Sequence, residues 1–333
     1  MDIVFLLALQ QLRQSLPSLL EDAMLGISFI GDGPALVAIA LLIYWCVDKR
    51  TGLFAILAMG IGNFVSQLLK NILCVYRPWV RDARIIPAEG ALEGAGGYSF
   101  PSGHATGAGT IFGSIAWMQR RRHKVLGVVC ILLILIMCFS RNFLGVHTPQ
   151  DVLVALCVAI LAIVVVNALL NWIDRSDALV PGHKRDIAIV IVLLVLCVAS
   201  IAVIELKAYP MDYANGQLLV DPEQMKKGSF EAAGLLSGVS LGWLFERRFV
   251  KFETGGIGVP ERVVRAVVGV AAVGVVYVVT NKLFVLFMPL GWAKLVAYFL
   301  LTIVALFVVP AIFVPIGRKF RPAPEKRGAH SRG

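Results

Sequence analysis

Charge is scarce in this chain, and negative charge is scarcest. Only 16% of its 333 residues are Asp, Glu, Lys or Arg, against about 25% in soluble domains. The 21 acidic residues face 31 basic ones, which leaves a formal net charge of +10. With 58% hydrophobic residues and a mean hydropathy of +0.81, a soluble domain of this length would lack the polar residues to cover its surface. The same numbers exclude a disordered chain, which needs low hydrophobicity and high charge. A nucleic-acid partner is not expected either. Cysteine is sparse, at six residues with no C-x-x-C pair, so neither a zinc site nor a redox pair is indicated. Cys46, Cys130, Cys138, Cys157 and Cys197 lie in apolar runs and Cys74 follows one, as buried small hydrophobes do. A basic leader is lacking at the start, where Asp2 precedes the short run Ile3–Leu9 with no small-residue cleavage site after it. Residues 1–28 are therefore read as an amphipathic N-terminal helix at an interface rather than a signal peptide.

What the sequence has in abundance is long apolar runs. A bilayer span takes about 20 mostly apolar residues, and nine segments qualify in outline: 29–47, 51–70, 103–118, 124–140, 151–171, 187–206, 229–246, 263–283 and 292–316. The third and fourth are short. The expected fold is all-α, a polytopic membrane bundle. A six-span core covers 29–206, a polar loop 207–228 follows, a three-span extension occupies 229–317, and 318–333 form a basic tail. Gly234, Gly238 and Gly242 make a small-xxx-small stripe on the seventh span. Such a stripe suits close packing inside the chain or a homodimer face.

The surplus of basic charge then orients the bundle. Twenty of the 31 Lys and Arg residues fall at one set of span ends, among them the clusters Lys49-Arg50, Arg120-Arg121-Arg122, Lys184-Arg185 and Arg247-Arg248 and the six in the tail. By the positive-inside rule that side, with the C-terminus, is cytoplasmic. In a bacterium the membrane would be the plasma membrane.

The opposite side carries polar residues that orientation does not explain. Lys70 and Arg77-Pro78 close the second span, Pro101-Ser102-Gly103-His104 opens the third, and Ser140-Arg141, His147 and Asp151 bridge the fourth and fifth. Helix count alone puts all three clusters on one membrane face. Three cations with few carboxylates suit a phosphate rather than a metal cage, so no metal or cofactor is expected. Ser102 and Gly103 precede a helix N-terminus, where free N–H groups favour an anion. His147 and Asp151, four apart at a helix entry, can share a face. The carboxylate can then fix the imidazole and leave its other nitrogen to attack, with His104 as proton donor. Asn63 and Gln67 are read as interhelical hydrogen bonders, and Glu205 and Glu231 as interfacial anchors.

The patterns K-x6-RP, PSGH and SR-x5-H-x3-D resemble, in order and without departure, the three-part signature of the type 2 phosphatidic acid phosphatase superfamily. The motifs cover 70–151, and the layout with extra C-terminal spans looks like multi-span bacterial members and sphingosine-1-phosphate phosphatases. The resemblance implies a hydrolase of a lipid phosphomonoester or diphosphate. In it His147 is the phosphohistidine-forming nucleophile, Asp151 its orienting carboxylate, and His104 the acid for the leaving alcohol. Lys70, Arg77, Ser102, Gly103, Arg141 and Ser140 would bind the phosphoryl oxygens. The active site would face the extracytoplasmic side, and the loop 80–97 would shape its entrance. The rival substrates are prenyl diphosphates such as undecaprenyl diphosphate. A lipid-linked phosphotransferase would use the same intermediate with another acceptor. A transporter would need paired broken helices and a midplane charge, and a non-catalytic lipid binder would lack a nucleophile or acid; the sequence shows neither pattern.

Overall fold

A computed structural model describes residues 2–92, 94–178, 182–214 and 216–320. The basic tail expected over 318–333 therefore lies, from residue 321 on, outside the described residues. Almost everything described is helical. The helices are α1 (Asp2–Ser15), α2 (Ser18–Ile30), α3 (Gly33–Cys46), α4 (Lys49–Leu73), α5 (Pro78–Arg81), α6 (Gly103–Gln119), α7 (Lys124–Phe143), α8 (Pro149–Asp177), α9 (His183–Leu206), α10 (Pro222–Phe245), α11 (Val259–Leu283), α12 (Leu290–Ile303) and α13 (Val309–Phe320). A π-helical turn, Val304–Val308, joins α12 to α13. A two-stranded hairpin, Tyr213–Ala214 against Gln217–Leu218, interrupts the loop before α10.

Every apolar run of the sequence has become a helix, but not every helix is a free-standing span. Among the described residues, six stretches are long and apolar enough to cross a membrane, or seven if α2 and α3, bent by 56° at Gly31-Asp32, count together. The two left over, α6 and α10, are the most enclosed. α6 has 17 residues and is buried along most of its length against α4, α7 and α8. α10 lies among α4, α9 and α12. Helices surrounded by protein need no hydrocarbon-matched surface, and both are rich in the small residues that permit close approach.

The glycine stripe shows this directly. A Cβ at Gly234 would collide with the backbone of Leu295, one at Gly238 with Thr302 and Phe299, and one at Gly242 would touch Leu306. The stripe is filled by α12 of the same chain, so the face considered for a homodimer is not available to a second copy. The N-terminal segment also differs from the single amphipathic helix expected. Pro17 separates α1 from α2, and Arg13 is buried, donating to the carbonyls of Leu144 and Ile86 and pairing with Glu21 at 3.5 Å. These two helices pack on α7 and tie down the loops that carry the polar clusters. All six cysteines are free, and Cys157 lies exposed on α8 rather than buried.

Local signals set the helix ends at the polar face. Thr148 and Asp151 form a reciprocal capping box with Pro149 in the first turn of α8, which satisfies two otherwise orphaned N–H groups. Ser102 caps α6 through the Ala105 N–H. Gly145, at φ +73 with the Pro87 backbone 3.3 Å from where a Cβ would sit, makes the tight turn that swings His147 back over α7.

Candidate active site

The C-terminal end of α4, the N-terminal end of α6, the C-terminal end of α7 and the N-terminal end of α8 meet on one face of the bundle. There they bring Lys70, Arg77, His104, Arg141, His147 and Asp151 together, and Lys70, Arg77, Arg141, His147 and Asp151 are all buried. His147 Nδ1 lies 3.4 Å from Asp151 Oδ2. The same carboxylate oxygen accepts from the Thr148 N–H at 2.8 Å and the Ser99 hydroxyl at 2.5 Å, and Ser99 Oγ also reaches His147 Nδ1 at 3.3 Å. A second N–H, that of Ser102, binds the Asp151 carbonyl at 3.0 Å, locking α6 to α8. The imidazole is thus held through Nδ1, while Nε2 lies 2.9 Å from Arg77 Nη1. Burial, reinforced by Arg77, Arg141 and Lys70, pushes the His147 imidazole well below its ordinary range, so the ring is neutral at neutral pH.

The three cations are placed by neutral acceptors. Lys70 Nζ donates to the Tyr98 carbonyl at 2.9 Å. Arg77 donates to the carbonyls of Gly97, Gly96 and Val146 at 3.1, 3.1 and 2.9 Å. Arg141 Nη1 donates to the Ser28 hydroxyl; its Nε and Nη2 are buried without a hydrogen-bond partner among the described residues. Such groups are costly unless something accepts from them, and a phosphate oxygen is a fitting acceptor. In the loop 80–97, expected to shape the entrance, the Gly96 and Gly97 carbonyls thus hold Arg77.

His104 stands apart from the His147 pair. Its Nε2 lies 2.8 Å from Asp32 Oδ1, at the break between α2 and α3. Asp32 precedes α3 where a helix cap would sit, yet its side chain caps nothing and turns to the histidine instead. Asp32 and Ser99 are the two polar partners that sequence reasoning missed. A signal existed for each: a lone carboxylate at the same-side end of the first span, and a serine three residues before the PSGH serine. Of the expected phosphate ligands, Ser140 is not free to serve through its hydroxyl, which donates to the Met137 carbonyl at 2.8 Å inside α7. The Ser102 hydroxyl accepts from Ala105 N as the cap of α6. Gly103 is exposed at that N-terminus with nothing within 4 Å of a would-be Cβ, which leaves room for a ligand to approach the backbone.

The site opens into a cavity of about 890 Å³ bordered by Lys70, Arg77, His104 and His147. Asn63, Gln67 and Glu231, expected as helix-pairing or interfacial groups, line this cavity. A cluster of cations, a neutral histidine braced by a carboxylate, and a second histidine with its own carboxylate make a site that can hold an anion and exchange protons around it.

Comparison with known proteins agrees with this chemistry. Residues 51–175 match the PAP2 superfamily model, and residues 230–321 match a PAP2 superfamily phosphatase transmembrane extension. Among curated proteins, the chain is 26% identical over 145 residues to phosphatidylglycerophosphatase B of Bacillus subtilis, covering 40% of this chain and 67% of that protein. It is 27% identical over 158 residues to human sphingosine-1-phosphate phosphatase 2, covering 46% of this chain and 38% of that protein. No solved structure matches significantly. The two family models cover the site on α4–α8 and most of the helices α10–α13, and this integral membrane chain carries a PAP2 superfamily domain followed by the PAP2 transmembrane extension.

Proposed function

We propose that the protein is a lipid phosphate phosphatase that works through a phosphohistidine on His147. The observation that carries this reading is the position of His147. One ring nitrogen is fixed by Asp151 and Ser99, and the other lies beside the Arg77 guanidinium. A phosphoryl group taking over the Arg77 and Arg141 N–H groups would bring its phosphorus to Nε2. Nε2 attacks phosphorus as the lipid oxygen departs, and His104 gives that oxygen its proton. Water, deprotonated by His104, then attacks the phosphohistidine, releasing inorganic phosphate and restoring neutral His147. Lys70, Arg77 and Arg141 hold the equatorial oxygens, with the N–H groups at the start of α6 as further donors. Asp32 keeps His104 oriented. Stabilising charge on these oxygens is the main task in phosphoryl transfer, and three buried cations supply it from the protein alone, so the reaction is expected to need no metal ion. The active site lies on the extracytoplasmic face, opposite the basic clusters.

Both curated relatives are named as phosphatases of a lipid phosphate, which supports testing lipid monophosphates ahead of prenyl diphosphates. The test is phosphate release by the purified protein from phosphatidylglycerophosphate, sphingosine 1-phosphate, phosphatidic acid and undecaprenyl diphosphate, with and without EDTA. Release from a monophosphate that survives EDTA and disappears in His147→Ala is the expected result, together with a base-stable, acid-labile phosphoprotein when labelled substrate is quenched in alkali. Turnover by His147→Ala, or loss of activity to the chelator, would overturn the mechanism.

A further inference from the structure

The cavity that begins at the phosphate site does not stop there. Besides the start of α6 at the site itself, which contributes Gly103, His104, Thr106 and Gly107, it is lined by five helices, and residues at helical spacing recur on each. On α4 they are Met59, Asn63, Gln67 and Lys70; on α3, Pro34, Val37, Leu41 and Trp45. α10 contributes Gln224, Lys227, Glu231 and Leu235; α11, Val270, Val273, Gly274 and Tyr277; α12, Tyr298, Leu301 and Thr302. Steps of three and four residues keep a wall on one side of a helix. Lys70 belongs to its stripe, so the face that supplies the phosphate-side cation continues downward as cavity wall.

Polarity changes along that wall in one direction. Moving away from Lys70, α4 presents Gln67 and Asn63 and then Met59. α10, entering from the site end, presents Gln224, Lys227 and Glu231 and then Leu235. α11 and α12 place Tyr277 and Tyr298 nearer the site, and Gly274, Val270 and Leu301 farther from it. Leu41, Trp45 and Leu235 line the cavity toward its far end. Ionic groups thus give way to amides and phenols and then to hydrocarbon. The twelve residues from Pro34 to Trp45 and the twelve from Lys70 back to Met59 each span about 16 Å of helix axis, close to half of a ~30 Å hydrocarbon core.

A gradient from cation to hydrocarbon over one leaflet's depth is the outline of an amphiphile. We infer that the hydrocarbon tail of the substrate lies in this cavity, and that the C-terminal extension, α10 to α12, forms the wall that selects it. The inference rests on the lipid phosphatase reading above and gives the extension a role: three of the six lining helices, α10 from residue 230 on, α11 and α12, lie in the matched extension, while the residues of the phosphate site all come from the core. Tail length is then read by α11 and α12, and phosphate by α4 to α8.

Gly274 provides the handle. It lines the cavity, and a Cβ added there meets nothing within 4 Å, so a side chain at this position starts into the tail space without a clash at its first atom. The experiment compares palmitoyl lysophosphatidate with its butyryl homologue, which carries the same headgroup, on wild-type protein and on Gly274→Ala, Gly274→Leu and Gly274→Phe. Excluding a few methylenes from burial corresponds to a loss of about 10- to 100-fold. Gly274→Phe is expected to lose that much kcat/KM on the palmitoyl lipid while staying within about 2-fold on the butyryl one, with Leu and Ala in graded order. A tail-end diazirine analogue, photolysed on His147→Ala protein, should label the α11 peptide containing Val270 to Tyr277. Equal kcat/KM ratios across the series, or a label confined to helices outside the cavity, overturn the tail path while leaving phosphate release standing. Absence of phosphate release from either lipid by the wild-type protein overturns the phosphatase reading itself.

Discussion

At the end of the bundle remote from the site, Lys49 sits on Glu246, Arg50 on Asp174, Arg265 on Glu261, and Arg185 and Arg247 share Asp177 and Asp186. At the site end, Lys70, Arg77 and Arg141 rest on backbone carbonyls and one serine hydroxyl, and no ion pair joins them to a carboxylate among the described residues. The residue types are the same and the burial is comparable at Arg265 and Arg141. The partners differ. A cation on a carboxylate is neutralised and holds elements together, whereas a cation on carbonyls is positioned with its charge intact. The first arrangement is structural, and the second suits the anion that the proposed function would bring.

The comparison can be broken by exchanging one residue at each end. Arg141→Met removes a guanidinium with two unpartnered nitrogens, so thermal stability in detergent should hold or rise, because burying unsatisfied charge costs free energy. Its kcat/KM on a lipid phosphate should fall about 10²–10³-fold, the usual loss for one donor to transition-state charge. Arg265→Met leaves Glu261 buried and unpaired, which is expected to cost about 3–5 kcal/mol of stability, while the folded protein keeps its kcat/KM. If Arg141→Met instead unfolds the protein, or Arg265→Met lowers turnover without lowering stability, the division between the two ends fails.

Asp32 and Asp151 sharpen the comparison within the site. Each carboxylate braces one histidine, but the proposed roles differ. Asp32→Asn should weaken proton delivery by His104, a contribution of about 10²-fold or somewhat less for a partner acting through the acid. That loss should appear with alkyl phosphates and shrink with an activated aryl phosphate, whose leaving group needs no proton. A uniform loss on both substrates would show that Asp32 only maintains the fold at the α2–α3 break.

How much of this was legible beforehand depends on the range of the interaction. Helices along 29–206 follow from apolar runs, and the convergence of Lys70, Arg77, His104, Arg141, His147 and Asp151 follows from counting them. The His147–Asp151 pair is a local i, i+4 contact at a capped helix start, so spacing reveals it. Asp32 with His104 is separated by 72 residues, and nothing in the motif says which span will pack beside α6. The Gly234 stripe was ambiguous for the same reason: small residues announce close packing without naming the partner, which proved to be α12. Ser140 reads as part of a charged motif, yet its position one turn from Met137 lets the hydroxyl return to its own helix, a competition that sequence leaves undecided. The cavity stripe on α4 was visible as Lys70, Gln67 and Asn63, but only the packing of α10 to α12 opposite turns that stripe into a wall.

The smallest expected effect is on pH, and it tests whether the site-end cations act as charges. Burial pushes His147 well below the ordinary imidazole value, and Arg77, Arg141 and Lys70 push the same way. Protonation removes the nucleophile's lone pair, so activity falls as pH drops through the folded value, which lies under the usual ~6.5. Because the folded value is depressed, the histidine's contribution to stability is present above the unfolded value and is lost as pH falls below it. The acidic limb of kcat/KM reports the free enzyme; after correction for the second ionisation of a phosphate ester near ~6, it should sit below the imidazole range. Bound phosphate offsets the cations, so the limb of kcat should lie higher than that of kcat/KM. Arg141→Met removes one of the three charges and should move the kcat/KM limb upward. A limb that already lies at the ordinary imidazole value, and stays there in Arg141→Met, would mean that the charge is screened in the free enzyme and that the two ends of the bundle differ in hydrogen bonding alone.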